Sequence, residues 1–175
     1  MRFLAISGSL RRVSTNTALL RAAAALAPEG VEVELYGGLG DLPHFNPDLE
    51  EAGEPPAVTE FRRLVRRADG LLISCPEYAH GVPGAMKNAL DWLVSDEHFM
   101  GKPVALLSAS PRAVYSQASL TETITVMSGR IVPEASITVP LHGRKLDADG
   151  VAADPEVAAA LRQALAAFVR TIEAG

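Results

Sequence analysis

The chain has 175 residues, 48% of them hydrophobic and 21% charged, and a formal net charge of −5. That composition is ordinary for a folded domain and excludes a mainly disordered or collagen-like chain; at this length ~70% of the unfolded surface leaves water on folding, so no disulfide or metal staple is required. The single cysteine, Cys75, excludes an intrachain disulfide framework and a CxxC zinc site. The acidic balance argues against nucleic-acid binding, because backbone phosphates call for a surplus of lysine and arginine.

In chain order, residues 3–6 form a wholly apolar run closed by Ser7, Gly8 and Ser9. The serines and the following Arg11 and Arg12 argue against a secretory leader, and no apolar run approaches ~20 residues, so the expectation is a soluble cytoplasmic protein without a membrane span. Leu19, Ala23 and Leu26 form a helical stripe stopped by Pro28 and Gly30. Residues 31–35 then alternate strictly, as a half-exposed strand does, and residues 41–56 read as an irregular, Pro/Gly-rich acidic surface loop. Phe61, Leu64, Val65 and Ala68 make a second helical stripe, residues 71–73 a second wholly apolar run, and Met86, Leu90 and Leu93 a third stripe. Residues 104–107 are again apolar, a weaker helix surrounds Leu120, Ile124 and Met127, and residues 131–139 mix apolar and polar residues around Pro133. The last helix is the clearest: Asp154 caps it, Pro155 fits its first turn, and Val157, Leu161, Leu165, Phe168 and Ile172 share one face.

Five strands thus alternate with five helices in one domain spanning residues 1–175. Such alternation implies right-handed βαβ crossovers and an α/β fold, with a parallel sheet covered by helices on both faces. The wholly apolar strands belong in the centre; the alternating second strand and the proline-bearing fifth belong at the edges. The resulting five-stranded order is 2-1-3-4-5, a doubly wound, flavodoxin-like arrangement with its ligand crevice between strands one and three. The loops after strands one, three and four are therefore where function should reside.

The loop after strand one, Ser7-Gly8-Ser9-Leu10-Arg11-Arg12-Val13-Ser14-Thr15-Asn16, offers hydroxyls, an amide, backbone N–H groups and a guanidinium at a helix N-terminus, a combination suited to a phosphate. An equally simple reading is that Ser14, Thr15 or Asn16 caps the helix and the arginines are solvated. Neither GxxxxGK[ST] nor GxGxxG is present, so a P-loop or Rossmann dinucleotide site is not supported. After strand three, Pro76, Gly81, Pro83 and Gly84 fix an irregular backbone at the switch point, and the segment runs on as Lys87-Asn88-Ala89-Leu90-Asp91-Trp92.

Together, GSLRxxSxN in the first loop and PEYxxxxPGxxKNAxDW after the third strand resemble the NADPH-dependent FMN reductase family, the flavodoxin-like quinone, azo-dye and chromate reductases. The resemblance covers residues 3 to about 139, with Leu42-Pro43 and Asn46-Pro47-Asp48 matching the family's long second loop. It implies that Ser9, Arg11, Ser14 and Asn16 hold an FMN phosphate and that Pro76, Glu77, Tyr78, Ala79, His80 and Gly81 line the isoalloxazine, largely through backbone groups. The loop after strand four departs from the family's glycine-rich turn: it reads Ser108-Ala109-Ser110-Pro111-Arg112-Ala113-Val114-Tyr115-Ser116. Ser108, Ala109 and Ser110 are expected at the flavin, but the missing glycines restrict how closely that backbone approaches. Arg112 and Tyr115 are candidates for contact with nucleotide or substrate.

By the same resemblance the activity is hydride transfer from NADPH or NADH to N5 of FMN and on to a quinone-like or other small electron acceptor, in a ping-pong cycle without an obligatory protein acid or base. The competing readings are a flavodoxin-like electron carrier and a flavin-binding module without nucleotide-dependent turnover. A homodimer, or a dimer of dimers, is also implied. Trp92 stands off the Met86, Leu90, Leu93 stripe, so it is either a dimer contact turned away from the core or a residue packed beneath a neighbouring loop.

Other constellations fall away. A phosphatase loop beginning at Cys75 would need arginine where Gly81 stands, and a phosphorelay receiver would need aspartate where Ser74 and Cys75 stand. His44, His80, His98 and His142 lack metal-ligand spacing, so no metal is expected. The acidic residues between Glu29 and Glu54 read as a solvated edge.

Overall fold

The computed structural model describes every residue of the chain except His142 and Lys145, so the expectation for His142 lies outside the described residues. The chain runs β1 (Arg2–Ser7), α1 (Thr15–Ala25), β2 (Glu32–Tyr36), α2 (Pro47–Ala52), α3 (Pro56–Arg67), β3 (Gly70–Ser74), α4 (Gly84–Asp91), β4 (Pro103–Ser108), α5 (Val114–Val126), β5 (Arg130–Ile131), β6 (Ile137–Thr138), α6 (Ala148–Ala153) and α7 (Pro155–Glu173). The strands are parallel in the order β2-β1-β3-β4-β5, as the hydropathy pattern requires, with β6 also paired to β4. Among the described residues no helix is long and apolar enough to cross a membrane.

Alternation within each central strand divides the core into two layers. Leu4, Ile6, Leu71, Ile73, Val104 and Leu106 face α3, α4 and α5, whereas Phe3, Ala5, Leu72, Ala105 and Leu107 face α1 and α7. The edge β2 is only half buried, its glutamates pointing outward.

Two expectations need correction, and one open alternative is decided. The predicted fifth strand over 131–139 is broken: a 3₁₀ turn at Pro133–Ala135 separates β5 from β6, because proline cannot donate to the ladder. The segment 41–56 is not irregular throughout, since Asn46 Oδ1 accepts the Asp48 N–H at 3.0 Å and Pro47 opens the short α2. For Trp92, packing beneath a neighbouring loop holds and the outward-facing contact does not. The residue is fully buried, its Nε1 donates to the Pro43 carbonyl at 2.8 Å, and its ring meets Phe45 edge-on at 5.0 Å.

These contacts give the Asn88 and Trp92 pair a definite structural task. Asn88 Oδ1 accepts the Phe45 N–H at 2.7 Å while its Nδ2 donates to the Pro43 carbonyl at 2.9 Å, so α4 latches the long second loop against the sheet. A buried arginine secures the same region: Arg62 donates to the Trp92 carbonyl (2.6 and 2.9 Å), to Ser95 Oγ (2.8 Å), to Glu50 (2.5 Å) and to Glu54.

Hydrogen bonds from Ser95 and Arg62 hold the Glu50 carboxyl below its ordinary value of 4.5. A depressed carboxylate contributes stability that is complete above the unfolded value and is lost as pH falls through the folded one. In urea melts from neutrality into acid, the parent is therefore expected to be more stable than Glu50→Gln at neutral pH and to lose that advantage below pH 4.5. An advantage that persists unchanged into acid would contradict this account.

Candidate functional site

At the carboxyl ends of the strands, Gly8 N–H donates to the Ser74 carbonyl at 2.8 Å, tying the loop after β1 to the end of β3. The approach is so close that a Cβ on Gly8 would lie 2.3 Å from Cys75 Sγ, so only glycine fits. Burial pushes the Cys75 thiol up to about 12, which makes it a packing residue rather than a nucleophile.

The first loop then turns into α1. Ser14 is the N-cap, accepting the Thr17 N–H at 3.3 Å, so the capping role weighed from sequence is present, and the same serine also lines the crevice. Ser9 Oγ accepts the Arg11 N–H at 3.4 Å, and Ser7 Oγ meets Thr17 Oγ1 at 2.8 Å. The Asn16 carbonyl oxygen is taken by Ser74 Oγ at 2.9 Å, which leaves its amide N–H groups as what it presents to a ligand.

A crevice of about 380 Å³ opens above these residues, within the range of small-molecule and cofactor sites. Its walls are formed by Ser9, Arg11, Ser14, Thr15 and Asn16 from the loop after β1 and the start of α1, by Cys75, Pro76, Glu77 and Tyr78 from the loop after β3, and by Ala109, Ser110, Arg112 and Ala113 from the loop after β4, with Gly143 completing it. Hydroxyls, an amide and a guanidinium at the start of α1 form a donor set for an anion, and the less polar walls suit a planar ring.

Most residues nominated from sequence thus converge on one crevice. Ala79, His80, Gly81, Ser108 and Tyr115 fall just outside its lining. Tyr78 and Gly81 exchange backbone hydrogen bonds (3.2 and 3.0 Å), closing a turn whose central residues Ala79 (φ 49°) and His80 (φ 59°) are both left-handed. The His80 ring stacks on Tyr115 with centroids 4.2 Å apart. Ser108 is buried and knits its own loop, donating to the Ser110 carbonyl at 2.9 Å. Glu77 turns sideways: its Oε2 accepts the Ser116 N–H, 2.9 Å away in the first turn of α5.

Sequence reasoning passed over Thr15, Cys75, Ala113 and Gly143 as lining residues. Thr15 and Ala113 adjoin nominated residues and were within reach. Gly143 arrives from the segment after β6, and no local motif marks it.

The turn at Ala79 and His80 stores strain, since left-handed backbone costs an L-residue ~1–2 kcal/mol, while glycine in its place adds only ~0.5–1 kcal/mol of unfolded-state freedom. Ala79→Gly is therefore expected to stabilise the fold by about 0.5–1 kcal/mol, raising Tm by roughly 1–4 °C in calorimetry. A lowered Tm would show that the turn is relaxed.

Comparison with known proteins agrees with this geometry. Residues 1–142 match the family model described as NADPH-dependent FMN reductase. An NAD(P)H-dependent FMN reductase of Pseudomonas aeruginosa is 34% identical over 173 residues, covering 96% of this chain and 93% of that protein. A rice (Oryza sativa subsp. japonica) protein named "Probable NADPH:quinone oxidoreductase 2" is 35% identical over 173 residues, 94% of this chain and 85% of its own. Among solved structures, the flavoenzyme NAD(P)H:(acceptor) oxidoreductase FerB of Paracoccus denitrificans superposes with a TM-score of 0.87 at 31% identity, covering 99% of this chain and 97% of that one. The fold, the crevice at its switch point and these matches together make the chain a member of the NADPH-dependent FMN reductase family.

Proposed function

We propose that the crevice holds FMN with its phosphate over Ser9, Arg11, Ser14 and Asn16 and its ring between Pro76, Glu77 and Tyr78 on one side and Ala109 and Ser110 on the other, with backbone groups of residues 77–81 and 108 nearby. The chain is an FMN- and NAD(P)H-dependent oxidoreductase. The observation that carries the placement is the convergence, on one crevice, of an anion-suited helix start and an irregular, half-apolar pair of walls.

Bound FMN supplies a ring that accepts hydride; the chain's own residues bind, orient and shield it. The start of α1 gives the phosphate N–H donors and a favourable dipole. The Tyr78–Gly81 turn, closed by its own backbone hydrogen bonds, would offer backbone groups to the ring. Arg112, exposed at the wall, is placed to meet the negative charge of a nucleotide, and Tyr115, exposed and stacked on His80, is the second candidate contact. Nicotinamide nucleotide and a small quinone-type acceptor then use the same open face in turn, in a ping-pong sequence. No side chain is assigned as general acid.

Self-association as a homodimer or dimer of dimers in the cytoplasm belongs to the same reading, though not through the buried Trp92. The exposed apolar residues Leu10, Val13, Tyr78, Val114 and Tyr115 beside the crevice supply the surface, and sedimentation equilibrium measures it. A monomer at micromolar concentration would remove this part of the proposal.

The deciding experiment is anaerobic. Purified protein loaded with FMN is expected to lose its yellow absorbance on adding NADPH or NADH and to recover it on adding a simple quinone. Flavin that binds but is reduced by neither nucleotide would overturn the proposed turnover in favour of an electron carrier. An Arg11→Ala variant is expected to bind FMN about tenfold or more weakly, as loss of a charge-assisted hydrogen bond to phosphate entails.

A further inference from the structure

The ring loop and the first turn of α5 meet through consecutive residues: Ser116 N–H donates to Glu77 Oε2 at 2.9 Å, and Tyr115 stacks under His80 at 4.2 Å. This matters because α5 has no cap of its own. Ala113 occupies its N-cap position and makes no side-chain cap hydrogen bond, and its first turn contains no acidic residue. The preceding loop is held from the β6 side, where the Val139 N–H donates to the Ser108 carbonyl at 2.8 Å and the Leu141 N–H to the Ala109 carbonyl at 3.2 Å, and it is knit internally by Ser108 Oγ donating to the Ser110 carbonyl and Ser110 Oγ accepting the Arg112 N–H at 3.2 Å; none of these bonds supplies an acceptor to the first turn of α5. Glu77, 39 residues earlier in the chain, brings the acceptor and the negative charge that the helix N-terminus lacks.

Building on the FMN reading above, we propose that Glu77 is a positioning residue: by capping α5 across the crevice it sets the separation of the two walls that receive the ring. Glu77 lines the crevice in the loop after β3 and Ser116 follows the lining residue Ala113 by one helical turn, so the bond couples the loop after β3 to the end of the loop after β4. The wall of residues 108–113 contains no glycine and cannot shape itself freely around a ligand; its position has to be fixed beforehand. The same bond solves an electrostatic problem. A carboxylate free in the crevice would repel an anionic cofactor, whereas one committed to a helix N-terminus has its charge partly offset by the helix dipole.

Three substitutions separate acceptor, charge and reach. Glu77→Gln keeps an acceptor oxygen and removes the charge; Glu77→Asp keeps the charge but is one methylene shorter; Glu77→Ala removes both. The readouts are Ser116 amide hydrogen exchange in flavin-free protein and the FMN dissociation constant from quenching of flavin fluorescence. Glu77→Ala and Glu77→Asp are expected to speed Ser116 exchange and to weaken FMN binding, each by about tenfold. Glu77→Gln is expected to restore both to within about threefold of the parent. Should Glu77→Ala fail to fold, the Asp and Gln pair carries the comparison. Unchanged Ser116 exchange in Glu77→Asp, or FMN binding by Glu77→Gln as weak as by Glu77→Asp, would overturn the positioning role while leaving the FMN reading intact. A parent protein that takes up no FMN would overturn both.

Discussion

One topological constraint creates the crevice. β1 and β3 are hydrogen-bonded neighbours, yet the chain leaves β1 toward α1 on one face of the sheet and leaves β3 toward α4 on the other. Two loops that start side by side must therefore diverge, and the gap between them is a place on the sheet's carboxyl edge where neither helix can lie. The Gly8 N–H to Ser74 carbonyl bond pins the loops at the root of that gap, and the absence of a Cβ on Gly8 lets Cys75 fill the space below it. Everything placed in the crevice is placed relative to that junction.

The junction also explains what was legible in the sequence. The central strands were readable because burial on both faces demands uninterrupted apolar runs, and the edge strands because their exposure leaves a different pattern. The start of α1 was readable because N-caps and anion sites draw on the same residue types, and Ser14 turns out to line the crevice while capping the helix. Of the two readings open for Trp92, packing beneath a neighbouring loop is the one observed. Trp92 continues the helical path of α4, with φ −65°, ψ −16° and its N–H bonded to the Asn88 carbonyl at 3.2 Å, and it is covered there by a loop that belongs to another part of the chain. Its partner Pro43 is 49 residues away, and no local periodicity encodes such a contact.

Residues 41–56 and the loop after β4 show the same limit from two sides. The Asn46-Pro47-Asp48 sequence is itself a helix-start signal, but a helix as short as α2 is marginal on propensity alone and depends on Arg62 binding Glu50 and Glu54 from α3. For α5 the local signal is missing altogether: alanine stands at the cap, and the acceptor comes from Glu77 in the loop after β3. Local rules read each helix start by its own neighbours, so a cap supplied from elsewhere looks like a defect until the fold is known.

Net charge misleads for a related reason. A chain of net charge −5 appears ill suited to an anionic cofactor and an anionic co-substrate. The acidic surplus, however, is concentrated between Glu29 and Glu54, and part of it is neutralised where Arg62 binds Glu50 and Glu54. Exposed charges interact strongly only within a Debye length of about 8 Å at physiological salt, so a ligand at the crevice responds chiefly to the groups that line it. Those are Arg11 and Arg112, the start of α1, and a Glu77 already engaged by a helix N-terminus. The local field therefore favours an anion even though the chain as a whole does not, and the direction of approach is set by where the arginines stand rather than by the sum of charges.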